Sequence, residues 1–210
     1  MCAIPHLRPA DGYYRVDDFD GNDTVISDGA NSRLAWEVVT IGNASTYADL
    51  VTTNAGDTAF GVVRMTTAAT ADGDGSVLRL NEDTIVLGGK GGSFSCRVRY
   101  PTAAGNVLAG NNFLIGLSDS VTATAPTVGI TVQSDAGVVS LRCDSADGTD
   151  LIAAAAKAPT LTGGTTAVLG TWHTFEVRWS EENSNGGPKR VQLFVDGSIA
   201  ATINNWDLDD

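Results

Sequence analysis

The chain has little of what nucleic-acid binding or a membrane span requires. Its 210 residues include only 13 lysines and arginines against 25 acidic residues, a formal net charge of −12 at pH 7. This excess of negative charge repels the phosphates of DNA and RNA. No apolar run approaches the length of a membrane span, and residues 1–9 lack the basic and apolar regions of a signal peptide. We therefore expect no nucleic acid or membrane as a partner, and synthesis in a cytoplasm without signal-directed export.

Cysteine and histidine are scarce as well. Cys2, Cys96 and Cys143 are an odd number at no metal-ligand spacing, which argues against both a disulfide scaffold and a zinc site. Cys96 and Cys143 fall on apolar faces of expected strands, where they are either buried free thiols or one disulfide pair. The histidines are His6, near the start of the chain, and His173, in an expected strand.

What the sequence does contain is a series of short apolar stretches with a period of two, bounded by glycine, asparagine or aspartate. This pattern is typical of half-buried antiparallel strands. In residues 93–100, for example, apolar side chains share one face while serines and arginines share the other. The pattern predicts an all-β, antiparallel two-sheet sandwich, with strands at Tyr13–Phe19, Leu34–Ile41, Ala59–Thr66, Val77–Leu80, Thr84–Leu87, Ser93–Tyr100, Asn112–Leu117, Thr127–Gln133, Val138–Cys143, His173–Trp179, Val191–Val195 and Ile199–Ile203.

Residues 13–210 are interpreted as a single domain, since β-sandwiches often reach this length as one unit. Residues 1–12 carry two prolines and little periodicity, and they are expected to form an N-terminal arm outside the sandwich. Asp196-Gly197 predicts a tight hairpin, whereas the alanines of Leu151–Ala158 favour a short helix or an irregular crossing. The inward faces predict a core that includes Phe94, Val98, Phe175, Val177, Trp179, Leu193 and Val195.

Two segments near the end of the chain carry a family resemblance. Gly170–Trp179 reads GTWHTFEVRW, and Val191–Gly197 reads VQLFVDG. They resemble the G-x-W-H and V-x-L-Y/F-V-D-G hairpin of laminin G-like and concanavalin A-like jelly rolls. The resemblance implies a jelly-roll fold in which these two strands are neighbours and His173 has a structural role. It says little about function, because one fold serves many functions.

A second resemblance concerns Leu87–Lys90, Phe94–Pro101 and Asn112–Asp119. These segments are similar to jelly-roll structural proteins that decorate the capsids of tailed phages. The resemblance implies a virion protein without enzymatic activity, which binds the major capsid protein at the capsid surface and associates with further copies of itself. The alternative function is a carbohydrate-binding, lectin-like module of a phage fibre or a bacterial surface protein, with a glycan as its ligand.

Motifs of hydrolytic enzymes are missing. Jelly-roll glycosidases carry their carboxylates on one strand as Glu-x-Asp-x-x-Glu, because retaining chemistry needs two carboxyl groups about 5 Å apart. No such run occurs, and no Gly-x-Ser-x-Gly nucleophile turn is present. Glu37 and Glu176 stand alone on expected strands, where a solvent-facing charge is the ordinary role. We therefore expect a protein that is not an enzyme.

Residues 17–23 gather hard oxygen ligands of the kind that calcium prefers. Lectin-like jelly rolls often hold calcium between loops, so that Asp18, Asp20 and Asp23 are candidate ligands. A solvated acidic turn is the favoured explanation of the same residues, because the segment does not match an EF-hand loop. Apart from this possible calcium ion, no cofactor is expected.

Four residues are candidate contacts with a partner. Ile4 and Leu7 are apolar residues of the arm, with no strand partner expected inside the domain. Phe194 falls on the face opposite the inward apolar set of its strand, so it either packs under a covering loop or marks an interface. Trp206 follows the last expected strand, where an exposed ring would suit stacking on a sugar.

Overall fold

The computed structural model describes residues 36–41, 47–51, 62–66, 75–80, 91–98, 113–119, 128–135, 138–145, 151–154, 172–181 and 188–206. The regular elements within these ranges are all β-strands. The described residues accordingly contain no helix that is long and apolar enough to cross a membrane. The arm and the expected strands Tyr13–Phe19 and Thr84–Leu87 lie outside the described residues. The chain divides into two compact units, residues 1–83 and residues 84–210.

The described part of the first unit consists of two antiparallel strand pairs. Its strands in chain order are β1 (Trp36–Ile41), β2 (Tyr47–Val51), β3 (Val62–Thr66) and β4 (Gly75–Leu80). β1 pairs with β4, and β2 pairs with β3. The sequence pattern predicts β1, β3 and β4 but not β2.

The second unit contains two antiparallel sheets of four strands each. Its strands are β5 (Gly92–Val98), β6 (Phe113–Ser118), β7 (Gly129–Asp135), β8 (Val138–Asp144), β9 (Leu151–Ala154), β10 (His173–Trp179), β11 (Arg190–Val195) and β12 (Ser198–Asn204). The front sheet has the order β12-β11-β10-β5, and the back sheet has the order β6-β7-β8-β9. This arrangement is compatible with a β-sandwich and confirms the all-β, antiparallel prediction.

Side chains from both sheets form one hydrophobic core, and β12 lies against β8 and β9. The back sheet contributes Ile130, Val132, Val139, Leu141 and Cys143, and the front sheet contributes Phe175, Val177, Val191, Leu193, Val195, Ala201 and Ile203. The seven residues expected in the core are all part of it. Four of them are buried, and Phe94, Val98 and Trp179 are partly buried against the others. The period of two along each strand therefore identifies the inward face correctly.

The expectation of a short helix or an irregular crossing at Leu151–Ala158 is wrong for the described part of this segment. Its first four residues form strand β9, which pairs with Ser140–Cys143 of β8, and not a helix or an irregular crossing. Leu151 and Ala153 pack against the core while Ile152 points outward. Burial of this alternating pair outweighs the helix propensity of alanine, which is a weak preference of tenths of a kcal/mol. Residues 155–158 lie outside the described residues.

Cys96 and Cys143 are free thiols, which confirms the first of the two interpretations of these cysteines. Both point toward the core, Cys96 from β5 and Cys143 from β8. Burial raises the pKa of the Cys96 thiol to about 11. Burial, together with the neighbouring Asp144 carboxylate, raises the pKa of Cys143 further. Neither thiol is therefore a ready nucleophile at neutral pH.

Candidate functional site

The outer side of the front sheet, which we call the front face, is open to solvent. Side chains that alternate with the core residues project from it on all four strands. The exposed ones are Ser93, Ser95 and Arg97 on β5, Arg178 on β10, Arg190 on β11, and Ile199, Thr202 and Asn204 on β12. A broad surface of this kind, built on paired strands, is held rigidly in place.

The outer side of the back sheet differs, because polar residues there are buried. Thr131 and Asp144 have no exposed surface, and the Arg142 side chain is 11% exposed. Arg142 forms an ion pair with Asp144, and its Nη1 lies 3.4 Å from Oε1 of Gln133. Buried polar groups of this kind stabilise a structure only when they are paired. The open front face is consequently the better candidate for binding a partner.

One half of the front face centres on Phe194. The Arg178 guanidinium carbon lies 4.3 Å from the centre of the Phe194 ring, within the range of a cation–π interaction. Glu176, opposite Phe194 in register, accepts two hydrogen bonds from Arg178, at 2.7 Å from Nε and 2.9 Å from Nη2. These bonds raise the pKa of Arg178 and hold its side chain over the ring. The Phe194 ring is therefore covered by the charged guanidinium of Arg178.

Ile199 extends this half of the front face. The register between β11 and β12 shifts between Leu193 and Phe194, so that Ile199 lies opposite Phe194. Ala200 and Ala201 are then both buried, while the Ile199 side chain is 49% exposed. The extra residue of a β-bulge changes the direction of the side chains on one side of it. We call Phe194, Arg178, Glu176 and Ile199 the Phe194 cluster.

The other end of the front face holds a shallow polar pocket of about 370 Å³, lined by Ser180, Glu181, Lys189, Arg190 and Asn204. Arg190 and Asn204 are opposite each other in register. The Arg190 amide donates a hydrogen bond to Ser180 Oγ at 3.0 Å, and Lys189 Nζ lies 3.3 Å from Glu181 Oε1. We call this the Arg190 pocket. It is about four residues along β11 from Phe194, or roughly 13 Å.

The hairpin between β11 and β12 is fixed by Asp196. Asp196 and Gly197 have φ values of 49° and 80°, which fits the tight two-residue turn expected there. Asp196 Oδ2 lies 2.8 Å from His173 Nδ1, and Oδ1 accepts a hydrogen bond from the Thr174 amide at 2.8 Å. His173 therefore positions the turn, as a hydrogen-bonded strand histidine does. At the same end of the front sheet, Arg97 lies 5.5 Å from the centre of the Trp172 ring.

The structure does not bear out the expectation that Trp206 presents its ring to a partner. Its side chain is 1% exposed and belongs to the core, so its ring is not presented to solvent. The cause is Asn205, whose φ of 54° turns the chain inward after β12, and whose amide donates a hydrogen bond to the Lys189 carbonyl at 2.9 Å. Asparagine tolerates this left-handed conformation better than most residues.

Of the remaining candidate residues, the structure describes only Phe194. Phe194 does lie on the front face, where it is partly buried beneath Arg178. Ile4, Leu7 and the calcium candidates Asp18, Asp20 and Asp23 lie outside the described residues. Within the described ranges, no group of three or more histidine, cysteine or acidic side chains could hold a metal ion.

Sequence analysis did not single out Arg178, Arg190 or Ile199. Placing Arg178 beside Phe194 requires the register of β10 with β11, in which Glu176 is opposite Phe194 and Arg178 is opposite Gln192. The connection of about ten residues between these strands does not fix that register in the sequence. Ile199 could not be found either, since the bulge has no clear sequence signal. In a comparison with known proteins, no family model matches the chain and no curated protein is significantly similar to it.

Proposed function

We propose that the chain is a non-enzymatic structural protein of a virion: a capsid decoration protein of a tailed phage, built on a laminin G-like jelly roll with an N-terminal arm. Its partner is the major capsid protein at the capsid surface, and it associates with further copies of itself. The observation that carries the proposal is the Phe194 cluster, an aromatic, cationic and apolar centre on the open front face.

The composition of this cluster suits the recognition of a protein. Aromatic residues and arginine are enriched among the residues that contribute most to protein–protein binding. Arg178 is already held by Glu176 and Phe194, so it loses little conformational entropy when a partner covers it. Ile199 adds apolar area next to the ring. The resemblance of residues 87–119 to phage decoration proteins is what points to the capsid as the partner.

The arm adds a second contact with a neighbouring subunit. Its prolines favour an extended chain, and its apolar residues Ile4 and Leu7 must recover the lost chain entropy from contacts elsewhere. A chain that begins at Tyr13 should melt nearly as the full chain does in isolation but occupy capsids less. Unchanged capsid occupancy would exclude this role of the arm.

Quantitative mass spectrometry of purified virions tests the proposal directly. We expect this chain in a fixed stoichiometric ratio to the major capsid protein, and its absence from virions would exclude a decoration function. Rebinding to capsids that lack the chain then tests the surface. Phe194→Ala should reduce occupancy at least about tenfold, as loss of a central aromatic contact does. Gln192→Ala, on the same strand and face, is the matched control and should bind as the unaltered chain does.

A carbohydrate-binding, lectin-like function is the second candidate. The observation in its favour is the partly buried ring of Trp172 beside Arg97, since a ring at a sheet end with a neighbouring hydrogen-bond donor suits stacking on a sugar. A glycan array separates the two functions. Binding to one class of glycan that Trp172→Ala abolishes, without virion association, would favour the lectin function.

A further inference from the structure

We propose that the Arg190 pocket binds carboxylates of a second copy of this chain, so that copies associate head to tail. The inference rests on the self-association in the proposed function but not on its capsid partner. The occupant follows from the distribution of charge. Among the described residues, the front face and the pocket carry Arg97, Arg178, Lys189 and Arg190 against Glu176, Glu181 and Asp196, whereas the whole chain has 13 lysines and arginines against 25 acidic residues.

The pocket has a cation that no described acidic residue neutralises. Arg178 is engaged by Glu176, and Lys189 is within ion-pair distance of Glu181. Arg190 is exposed and forms no ion pair with any residue in the described ranges. Its guanidinium has the planar donor geometry that fits a carboxylate, and the Asn204 amide opposite it in register supplies a further donor. The pocket thus suits an acidic side chain from outside.

The charge distribution also selects the geometry of association. The rest of the chain carries the acidic excess, so two copies repel each other in most orientations. Attraction requires that this surface of one copy meet the acidic remainder of another, since a symmetric pairing of two pockets would oppose two arginines. Such a contact is heterologous, and heterologous contacts close into rings around a symmetry axis or continue as filaments.

The association should be weak and sensitive to salt. Four strands of about seven residues give a sheet face of roughly 450 Å², less than the roughly 800 Å² per partner of a stable interface. Exposed charge pairs are also screened within about 10 Å at 0.1 M salt and about 3 Å at 1 M. We expect reversible association that increases with protein concentration and decreases with added salt.

Sedimentation velocity of the full chain over a concentration series tests the inference, with a chelator present so that bound calcium does not alter the charge. At about 0.1 M salt we expect oligomers, and at about 1 M salt monomers. Lys189→Glu with Arg190→Glu should weaken association at least about tenfold at the lower salt concentration. The control is Arg33→Glu with Lys157→Glu, two positions distant from the pocket in the sequence, which changes the net charge equally and should change association much less. Circular dichroism checks that both variants fold.

Three results would overturn the inference. The first is a monomer at every salt and protein concentration. The second is association that increases with salt, which indicates an apolar interface. The third is an equal loss in the pocket variant and in the control, which indicates repulsion by net charge alone. A short oligoglutamate peptide in excess should dissociate the oligomers, whereas a glycine–serine peptide should not. Loss of capsid binding with self-association intact, or the reverse, distinguishes this inference from the proposed capsid function.

Discussion

His173 Nδ1 lies 2.8 Å from Oδ2 of Asp196, a residue 23 positions later in the chain. The other carboxylate oxygen of Asp196 accepts a hydrogen bond from the Thr174 amide, and the Asp196 amide donates one to the Thr174 carbonyl at 2.9 Å. The turn of the last hairpin is therefore fastened to the start of strand β10. Asp196 performs this task while its own backbone is in the left-handed region.

Replacement of Asp196 tests this fastening. Asp196→Ala should lower the free energy of unfolding by about 1–2 kcal/mol, because the variant loses two hydrogen bonds and places alanine at a positive φ. Asp196→Asn should cost less, since asparagine tolerates that φ and keeps an acceptor for the Thr174 amide. Urea denaturation measures both. Equal losses in the two variants would show that the side-chain oxygens do not hold the turn.

The same contact should depend on pH. Partial burial raises the pKa of Asp196, but hydrogen bonds from His173 and the Thr174 amide outweigh this and hold the pKa below its ordinary value. The ionised form is thus favoured by folding, and its stabilisation is complete above the unfolded pKa of about 3.9 and lost as pH falls through the lower folded value. The stability difference between the unaltered chain and Asp196→Asn should therefore shrink below about pH 4. A difference that is constant from neutral pH to that range would contradict this explanation.

Gly92 is expected to tolerate no side chain. It lies opposite Trp179 in the register of β5 with β10, and a Cβ atom at Gly92 would overlap the indole ring. Gly92→Ala should lower the free energy of unfolding by about 1–3 kcal/mol, as overpacking does. Ser93→Ala, the exposed neighbour on the same strand, should stay within about 0.5 kcal/mol. Thermal denaturation of the two variants gives the comparison.

Two phenylalanines on neighbouring strands should respond very differently to truncation. Phe175 is 1% exposed in the core, so Phe175→Ala should cost about 3–5 kcal/mol. Phe194 lies on the open front face, and its removal leaves no enclosed cavity. Phe194→Ala should cost about 1 kcal/mol or less in denaturant titrations. A large loss at Phe194 would mean that this ring is part of the structure and not a contact surface.

The two described cysteines should be slow to react in the folded protein. With a pKa of about 11 for Cys96 and a higher value for Cys143, roughly one thiol in ten thousand or fewer is ionised at pH 7. In a Cys2→Ser background, we expect Ellman's reagent to modify Cys96 slowly and Cys143 more slowly still. Both should react rapidly in denaturant. Fast modification of either thiol in the folded state would show that the core opens readily.

The sequence was sufficient to predict the all-β class, ten of the twelve described strands, and the core. Period-two patterning determines these features wherever one side of a strand is buried, as it is for β10 and β11. β2 was missed because only Ala48 and Leu50 form its uniformly apolar side, which is too short to show a period. β9 was assigned to the wrong class because the helix propensity of alanine was the only local signal, and the burial of Leu151 and Ala153 that outweighs it depends on tertiary packing.

The candidate site was less predictable than the fold. Phe194 could be placed on the front face from alternation alone, but its cover by Arg178 depends on the register between two strands. Trp206 was predicted incorrectly because a single left-handed residue, Asn205, turns the chain toward the core after β12. Backbone φ at one position and strand register are set by tertiary packing, and neither is encoded in local hydrophobicity.

Ala200, the additional residue in β12, shifts the inward and outward alternation of side chains along the strand by one position. In a regular strand with the same residues, Ile199 would have the parity of Ala201 and Ile203 and point toward Leu193, in a core already filled. Deletion of Ala200 should therefore leave Ile199 outward and opposite Phe194, because regular alternation then runs directly from Ala201 to Ile199. The apolar character of this surface thus depends on the backbone absorbing one residue as a bulge, and a strand that straightened without losing that residue would take Ile199 off the surface.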